Sequence, residues 1–188
     1  MNRLILASAS PRRKELLQEL GYPFEIMAAD CEEIIDSALP VEEAIQQIAY
    51  QKAETIWKNN SDAIVIGADT MVCYGGKMLG KPKDREDAKR MLEMLSGQTH
   101  KVISGVAILS KDKKEMFYEE TKVTFYPIDE VLLNQYLDSD EPYDKAGAYG
   151  IQGKGKLFVE KISGDYFNVV GLPISSVYRH LKTYIKDI

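Results

Sequence analysis

The sequence is poor in the softer metal-binding side chains, with two cysteines and two histidines among 188 residues. Cys31 and Cys73 stand far apart and form no CxxC pair, which argues against a disulfide framework and against the usual zinc motifs. His100 and His180 are too few for a histidine-rich transition-metal site. Oxygen ligands and a hard cation are therefore the simpler choice for any metal.

Long apolar runs are also missing. The run from Ala63 to Ala68 is far shorter than the roughly 18 residues that span a membrane. The N-terminal run from Leu4 to Ala7 is shorter than the roughly 7 to 15 apolar residues of a signal peptide. Together with the isolated cysteines, these absences predict a reduced, cytoplasmic protein that does not associate with membranes.

Positive charge is not in excess, because 24 Lys and Arg residues face 29 Asp and Glu residues, for a net charge of −5. This balance disfavours a surface that wraps duplex nucleic acid, which needs a broad positive field. The absence of a GxxxxGK(S/T) motif disfavours a P-loop ATPase. A length of 188 residues fits one compact domain, or one domain with two lobes.

Strand and helix patterns alternate early in the chain, whereas strand patterns cluster later. This order predicts an α/β fold with a mixed sheet flanked by helices, and disfavours a purely parallel doubly wound sheet. The predicted strands are Leu4–Ala7, Phe24–Ile26, Ala63–Ala68, a hairpin over Val72–Leu79, Val102–Leu109, Met116–Tyr126, Leu157–Ile162 and Tyr166–Val170. The predicted helices begin at Ser10, after Pro40, at Asp84 and at Asp129, and the last covers Pro173–Ile185.

The helix that begins at Ser10 has an unusual first turn. A helix N-terminus favours acidic residues, yet Arg12, Arg13 and Lys14 stand there. An anion such as phosphate, docked on the first N–H groups of the helix, would turn this unfavourable arrangement into a favourable one. The alternative is that these cations point into solvent or pair with Glu15 or Glu19.

Carboxylates provide the second candidate chemistry. Asp30, Glu32 and Glu33 share one loop, and Asp69 stands where the buried strand Ala63–Ala68 is predicted to end. A carboxylate at the carboxyl end of a strand, beside a phosphate site, is typical of magnesium sites. Asp69 could also accept a proton from an attacking water. The plainer alternative for Asp69 is a turn former or a helix cap.

Lys52 interrupts the apolar face of the helix after Pro40, and Lys81 precedes Pro82 in a loop. Either lysine could reach a phosphate as a point charge, while the alternatives are a snorkelling helix lysine and an ordinary loop lysine. Gly147, Gly150 and Gly153 form a weak GxxGxxG pattern beside Gln152, whose amide offers one acceptor and two donors.

Several ordered motifs resemble those of the Maf family of nucleotide pyrophosphatases. They are SASPRR from Ser8, GADT from Gly67, GKP from Gly80, SGQTH from Ser96, EPYDKAGAYGIQG from Glu141, GDY from Gly164 and VVGLP from Val169. The resemblance spans nearly the whole chain. Within the family, DKAGAYGIQG looks like the subgroup that hydrolyses dTTP and UTP, including some modified uridine triphosphates, to the monophosphate and pyrophosphate.

The resemblance implies a single Maf-like domain over residues 1–188, with an elongated mixed sheet in two lobes and a central groove, like that of inosine triphosphate pyrophosphatases. It also implies a homodimer, a nucleoside triphosphate substrate and a divalent cation, Mg²⁺ or Mn²⁺. Members have been associated with arrest of septum formation. This leaves a nucleotide-binding regulator of cell division, acting through an unknown partner without turnover, as the alternative function. A pyrophosphatase for non-standard purine triphosphates is a weaker alternative.

The resemblance also assigns site residues. It implies phosphate binding by Ser8, Arg12 and Arg13, catalytic roles for Lys52, Asp69 and Lys81, and a metal site of Glu33 and Asp69. Relatives often have Asp at the position of Glu32, and this departure leaves the choice between Glu32 and Glu33 as ligand open, with Glu33 favoured. Base choice is linked to Arg12, Thr70 and Gln152.

The resulting hypothesis is attack by a metal-bound water on the α-phosphorus, with Asp69 as proton acceptor and pyrophosphate as leaving group. The cations Arg12, Arg13, Lys52 and Lys81 would neutralise the triphosphate. The Gln152 amide can pair with uracil or thymine, but a flipped amide would suit cytosine equally well. The residues that would fix its orientation, and the role of His100, are not apparent in the sequence.

Overall fold

The structure is a computed structural model that describes residues 3–31, 34 and 38–185. Its secondary structure follows the predicted alternation of strands and helices. The strands are β1 Leu4–Leu6, β2 Glu25–Ile26, β3 Ile64–Tyr74, β4 Lys77–Leu79, β5 Thr99–Leu109, β6 Lys114–Phe125 and β7 Val159–Ser163. The helices are α1 Pro11–Gln18, α2 Val41–Trp57, α3 Arg85–Leu95, α4 Glu130–Leu137, α5 Tyr166–Val170 and α6 Ile174–Leu181, with short 3₁₀ helices at Pro142–Asp144, Ala146–Ala148 and Lys154–Phe158.

The strands form one mixed sheet in the order β2-β1-β3-β5-β6-β7, with β4 paired to β3. β1 runs parallel to both β2 and β3, whereas β4 is antiparallel to β3 and β7 is antiparallel to β6. The predicted mixed α/β sheet is therefore confirmed. None of the helices within the described ranges is long and apolar enough to cross a membrane.

The chain divides into two compact units that are interleaved in sequence. The first unit comprises Met1–Thr70, Ser104–Glu119 and Gly171–Ile188, and the second comprises Met71–Ile103 and Glu120–Val170. β3, β5 and β6 therefore each contribute residues to both units.

In the first unit, α2 packs closely onto the sheet because small residues lie beneath it. Ala49 and Ala53 on α2 are buried in a core cluster with Ile5 and Val65 of the sheet. A Cβ atom at Gly67 would overlap the carbonyl oxygen of Ala49, so glycine is required for this close approach. The same contact sets the distance between side chains on α2 and those on β3.

In the second unit, aromatic side chains fill much of the core. α3 contributes an aliphatic face, and its N-terminus is capped by Asp84, whose Oδ1 accepts a hydrogen bond from Asp87 N at 2.8 Å. Phe125, Tyr136, Tyr149 and Phe158 are buried in the same cluster as that face. Edge-to-face ring contacts join His100 to Phe125 and Tyr149, and Tyr136 to Phe158.

Two predicted elements differ from the structure. The strand expected to end at Ala68 and the hairpin strand expected to begin at Val72 form one continuous strand, β3, which pairs with β1 through Ile64–Ile66 and with β4 through Val72–Tyr74. Asp69 is thus within a strand rather than at its end. Tyr166–Val170, predicted as a strand, is the short helix α5.

The physical reason for α5 lies in hydrogen bonds that a strand would not make in this place. Asp165 Oδ1 accepts a hydrogen bond from Phe167 N at 2.9 Å. The buried Asn168 amide donates to Val102 O and Thr121 Oγ1. These tertiary contacts outweigh the strand preference of a segment rich in aromatic and β-branched residues.

Candidate active site

The N-terminus of α1 begins as predicted, with Ser10 at the N-cap position and Pro11 as the first helical residue. Ser10 makes no side-chain capping hydrogen bond, and no acidic residue stands in the first turn. The Ser10 backbone N–H instead donates to Ser8 Oγ at 3.2 Å. This end of α1 therefore retains its partial positive charge without a side-chain acceptor from the N-cap.

Arg13 joins three parts of the first unit. Its Nε donates to the carbonyl oxygen of Gly171 at 2.8 Å, Nη1 donates to Ser8 Oγ at 3.3 Å, and Nη2 donates to Thr70 Oγ1 at 3.2 Å. Thr70 Oγ1 also lies 2.8 Å from Ser104 Oγ. The guanidinium group thus fixes the loop after β1 against β3 and the start of the last segment, using the fork geometry that arginine provides.

Lys52 and Asp69 form an ion pair within the first unit. Lys52 Nζ lies 2.5 Å from Asp69 Oδ1, and both side chains are 15% exposed. Lys52 therefore does not follow the alternative of snorkelling away to the surface, and Asp69 is neither a turn former nor a helix cap. Because the pair is mostly shielded from water, removal of one partner would leave a poorly solvated charge.

The side chains of Asp69 and Thr70, which are neighbours on β3, point in opposite directions. Side chains alternate along a strand, so Asp69 faces α2 while Thr70 faces Ser104 and Arg13. Arg13 and Lys52 accordingly contact adjacent residues of β3 from its two faces. The structure brings Ser8, Arg13 and Thr70 into one hydrogen-bonded group, and Lys52 and Asp69 into another.

Lys81 and Gln152 belong to the second unit, and both are exposed. Lys81 follows β4, and the carbonyl oxygen of the preceding Gly80 accepts a hydrogen bond from Gly147 N at 3.0 Å. Within this unit the Lys81 turn is therefore tied to the segment that carries Gln152. Arg12, the remaining predicted phosphate ligand, is a half-buried residue of α1.

The sequence did not indicate one buried polar pair in the second unit, formed by His100 and Tyr149. His100 Nε2 is 2.7 Å from the Tyr149 hydroxyl, and His100 is only 1% exposed. Burial lowers the pKa of His100 to about 4, and burial also raises the pKa of Tyr149. Both side chains are therefore neutral near pH 7. The motif SGQTH pointed to His100, but nothing in the sequence indicated its partner.

The described residues contain no group of three or more His, Cys, Asp and Glu side chains that could hold a metal ion. Glu33, and with it the choice between Glu32 and Glu33, lies outside the described residues. Asp69 offers hard carboxylate oxygens in a shielded position. One carboxylate suits Mg²⁺, which is usually held by one or two carboxylates together with substrate phosphates and water.

Comparisons with known proteins agree with the motifs. Residues 3–184 match the family described as Maf-like protein. A dTTP/UTP pyrophosphatase of Bacillus anthracis is 52% identical over 188 residues, which covers 100% of this chain and 98% of that protein. A dTTP/UTP pyrophosphatase of Bacillus thuringiensis subsp. konkukian has the same identity and coverage.

Two solved structures have weaker similarity. A nucleoside-triphosphatase / dITP/XTP pyrophosphatase from Mycobacterium abscessus has 13% identity and a TM-score of 0.43, covering 67% of this chain and 75% of that one. The Ham1 protein of Staphylococcus aureus has 13% identity and a TM-score of 0.46, covering 66% of this chain and 72% of that one. The family match and the identity to curated relatives are decisive, and the chain belongs to the Maf family.

Proposed function

We propose that the chain is a nucleoside triphosphate pyrophosphatase that hydrolyses dTTP and UTP, with modified uridine triphosphates as further candidates. Water would attack the α-phosphorus, the bond from this phosphorus to the α–β bridging oxygen would break, and the products would be the nucleoside monophosphate and pyrophosphate. The full-length relatives named dTTP/UTP pyrophosphatase support this assignment of substrate.

The observation that carries the proposal is the Lys52–Asp69 ion pair. A carboxylate that is 15% exposed and in contact with an ammonium group is a costly arrangement for stability alone, since both charges lose much of their hydration. The arrangement suits a site in which the carboxylate accepts a proton and the ammonium group offsets phosphate charge.

In this proposal each residue of the first unit has a separate task. Asp69 accepts the proton of the attacking water, and Lys52 neutralises charge on the triphosphate as its bond breaks. Arg12 and the N-terminal N–H groups of α1 bind phosphate oxygens. Arg13 already donates to Gly171 O, Ser8 Oγ and Thr70 Oγ1, so its first task is to hold Ser8 and Thr70 in place.

The second unit would supply Lys81 for the phosphates and Gln152 for the base. Lys81 is an exposed lysine on a turn whose backbone is hydrogen-bonded to the Gln152 segment. The Gln152 carbonyl oxygen would accept N3–H of uracil or thymine, and its amide would donate to O4. Arg12 and Thr70 remain further candidates for base choice from the resemblance.

A divalent cation, Mg²⁺ or Mn²⁺, is part of the proposal. Asp69 would hold it with Glu33, and its chemistry when bound would be to offset the negative charge of the phosphates. A homodimer and a cytoplasmic location are also part of the proposal. The homodimer is based on the resemblance to the family, and the location is based on the composition of the sequence.

The test is a panel of nucleoside triphosphates with Mg²⁺ or Mn²⁺, scored separately for pyrophosphate and orthophosphate. We expect pyrophosphate release, fastest with dTTP and UTP. Orthophosphate would mean cleavage of the terminal bond and would contradict the mechanism. Binding of UTP without any turnover would favour the alternative of a nucleotide-binding regulator of cell division, and preference for purine triphosphates would contradict the assigned base.

A further inference from the structure

The segment that carries Gln152 has a strained backbone. Gly147 and Ala148 both have positive φ angles, of 67° and 61°. The left-handed conformation is unfavourable for a residue with a Cβ atom, so the surrounding structure must hold Ala148 there. A Cβ atom at Gly147 would lie 2.9 Å from side-chain atoms of Val72, which shows that β3 closes off one side of the segment.

The buried side chains of His100 and Tyr136 hold Tyr149 and Gly150, the residues that follow Ala148. The Tyr149 hydroxyl lies 2.7 Å from His100 Nε2, and the ring of Tyr149 packs against Phe125 with centroids 4.7 Å apart. Gly150 N donates to the hydroxyl oxygen of Tyr136 at 3.2 Å. The backbone direction just before Gln152 is therefore set by hydrogen bonds to the core of the second unit.

A second anchor follows Gln152. The carboxylate of Glu141 accepts hydrogen bonds from Lys154 N at 2.8 Å and 3.1 Å. A Cβ atom at Gly153 would overlap this carboxylate in its present position. The exposed Gln152 thus lies between two fixed points of the backbone, at Gly150 and Lys154.

The His100–Tyr149 contact is a single buried hydrogen bond with a defined direction. Among the described residues, His100 Nδ1 is buried and has no hydrogen-bond partner, so Nε2 carries the polar contact of the ring. A buried histidine with one nitrogen unsatisfied is less stable than an apolar side chain of similar shape would be. Replacing both His100 and Tyr149 by apolar side chains of similar shape would remove the unsatisfied nitrogen together with the contact, so stability of the core alone does not account for the pair.

We propose that His100 and Tyr149 are positioning residues for base selection: their hydrogen bond fixes the backbone at 148–150 and so sets the orientation in which Gln152 meets the base. This inference rests on the proposed function, because it assumes that Gln152 contacts the base. It bears on pyrimidine choice because uracil and cytosine present opposite donor and acceptor patterns to the same amide, so discrimination between them requires that Gln152 be held in one position.

The main test compares Tyr149→Phe with Tyr143→Phe. Each variant loses one hydroxyl in the second unit, since the Tyr143 hydroxyl donates to Leu137 O at 2.6 Å. We expect the ratio of kcat/KM for UTP to that for CTP to fall about tenfold or more in Tyr149→Phe, the factor that about 1.4 kcal/mol of discrimination represents. The ratio should stay near the wild-type value in Tyr143→Phe. An unchanged ratio in Tyr149→Phe would overturn the inference.

A double variant separates positioning from folding. In His100→Phe/Tyr149→Phe the unsatisfied polar atoms are gone, so thermal stability should recover relative to Tyr149→Phe alone. We expect the UTP preference to stay low, because no directional hydrogen bond remains. Return of the preference together with stability would mean that the pair only fills the core, and the inference would be wrong.

A measurement independent of turnover distinguishes this inference from the proposed function. Amide hydrogen exchange at Gly150–Gly153 should be at least about tenfold faster in Tyr149→Phe than in wild type or Tyr143→Phe, because the segment loses its hydrogen bond to His100. Wild-type protein that releases no pyrophosphate would defeat the proposed function, and selectivity by Gln152 with it. Unchanged exchange in an active enzyme would defeat the positioning role alone.

Discussion

The candidate residues of the first unit and those of the second are held by opposite kinds of interaction. In the first unit, each group of residues contains a charged side chain: Lys52 forms an ion pair with Asp69, and the Arg13 guanidinium donates hydrogen bonds to the hydroxyl groups of Thr70 and Ser8. In the second unit, the backbone just before Gln152 is held by neutral, buried groups, above all His100 and Tyr149. The contrast matches the two tasks proposed for them.

Charge stabilisation and base choice place different demands on a protein. Neutralising a triphosphate requires ionised groups in a partly shielded position, and such groups must remain near water to stay charged. Choosing between bases requires one amide orientation to be favoured over another, which needs a fixed backbone more than charge. We therefore expect substitutions of the charged residues of the first unit to change the rate of hydrolysis. Substitutions of His100 and Tyr149, which hold the Gln152 segment, should change the selectivity between bases.

The largest expected effect is on rate, for Asp69→Asn. Asparagine keeps the shape of the side chain but removes the proton acceptor and the negative charge that Lys52 contacts. We expect kcat to fall about 100-fold or more, measured as pyrophosphate released from UTP. Asp138→Asn is the matched control, because Asp138 is 67% exposed in its ion pair with Arg85. Near-normal activity of Asp69→Asn would remove Asp69 from the proposed role.

The next effect combines stability and rate, for Gly67→Ala. The added methyl group would overlap the Ala49 carbonyl oxygen and push α2 away from β3, at a cost of about 2 to 3 kcal/mol. Since Lys52 lies on α2, activity should fall together with the melting temperature.

Gly80→Ala provides the contrast, because nothing lies within 4 Å of a Cβ atom there. We expect its melting temperature to match that of the wild type. Equal stability of the two glycine variants would contradict the close packing described for α2.

A pH effect tests the neutral character of the second unit. The pKa of His100 is lowered by burial to about 4, so the unfolded chain takes up a proton near pH 6.5 before the folded protein does. Stability should therefore fall as pH drops from 6.5 towards 4, with about 2 kcal/mol lost by pH 5. Urea unfolding of His100→Phe should lack this component. Between pH 7 and 8 the two free-energy curves should run parallel, and a steep difference there would contradict a neutral His100.

The smallest effects concern the helix caps. Asp84→Ala removes the acceptor for Asp87 N and should cost about 1 kcal/mol in urea unfolding. Ser10→Ala should cost less than about 0.5 kcal/mol, because Ser10 makes no capping hydrogen bond. A larger loss for Ser10→Ala would mean that its hydroxyl does more for α1 than its contacts indicate.

Local signals in the sequence were enough to predict much of the fold. The Asp84 and Asp129 caps place α3 and α4 correctly, and Gly75-Gly76 marks the turn of the β3–β4 hairpin. These features depend on residues a few positions apart. The mixed sheet followed from the same alternation of patterns.

The remaining features depend on partners far apart in the chain. β3 is one long strand whose first residues pair with the distant β1 and whose last residues pair with β4, and α5 is helical because Asn168 bonds to Val102 and Thr121. The sequence motifs indicated which residues are candidates for the site, but not how their side chains are arranged. Only the contact with Asp69 shows that Lys52 does not extend away to the surface. The His100–Tyr149 contact joins two motifs 49 positions apart, which no local pattern could have indicated.

The interleaving of the two units affects the order in which the protein can be completed during synthesis. α6 belongs to the first unit, yet all of the second unit is translated before it. Leu172, Val177 and Leu181 are buried and arrive last. All of the second unit is therefore synthesised before Gly171, so the Arg13 bond to Gly171 O is among the last contacts of the first unit that can form.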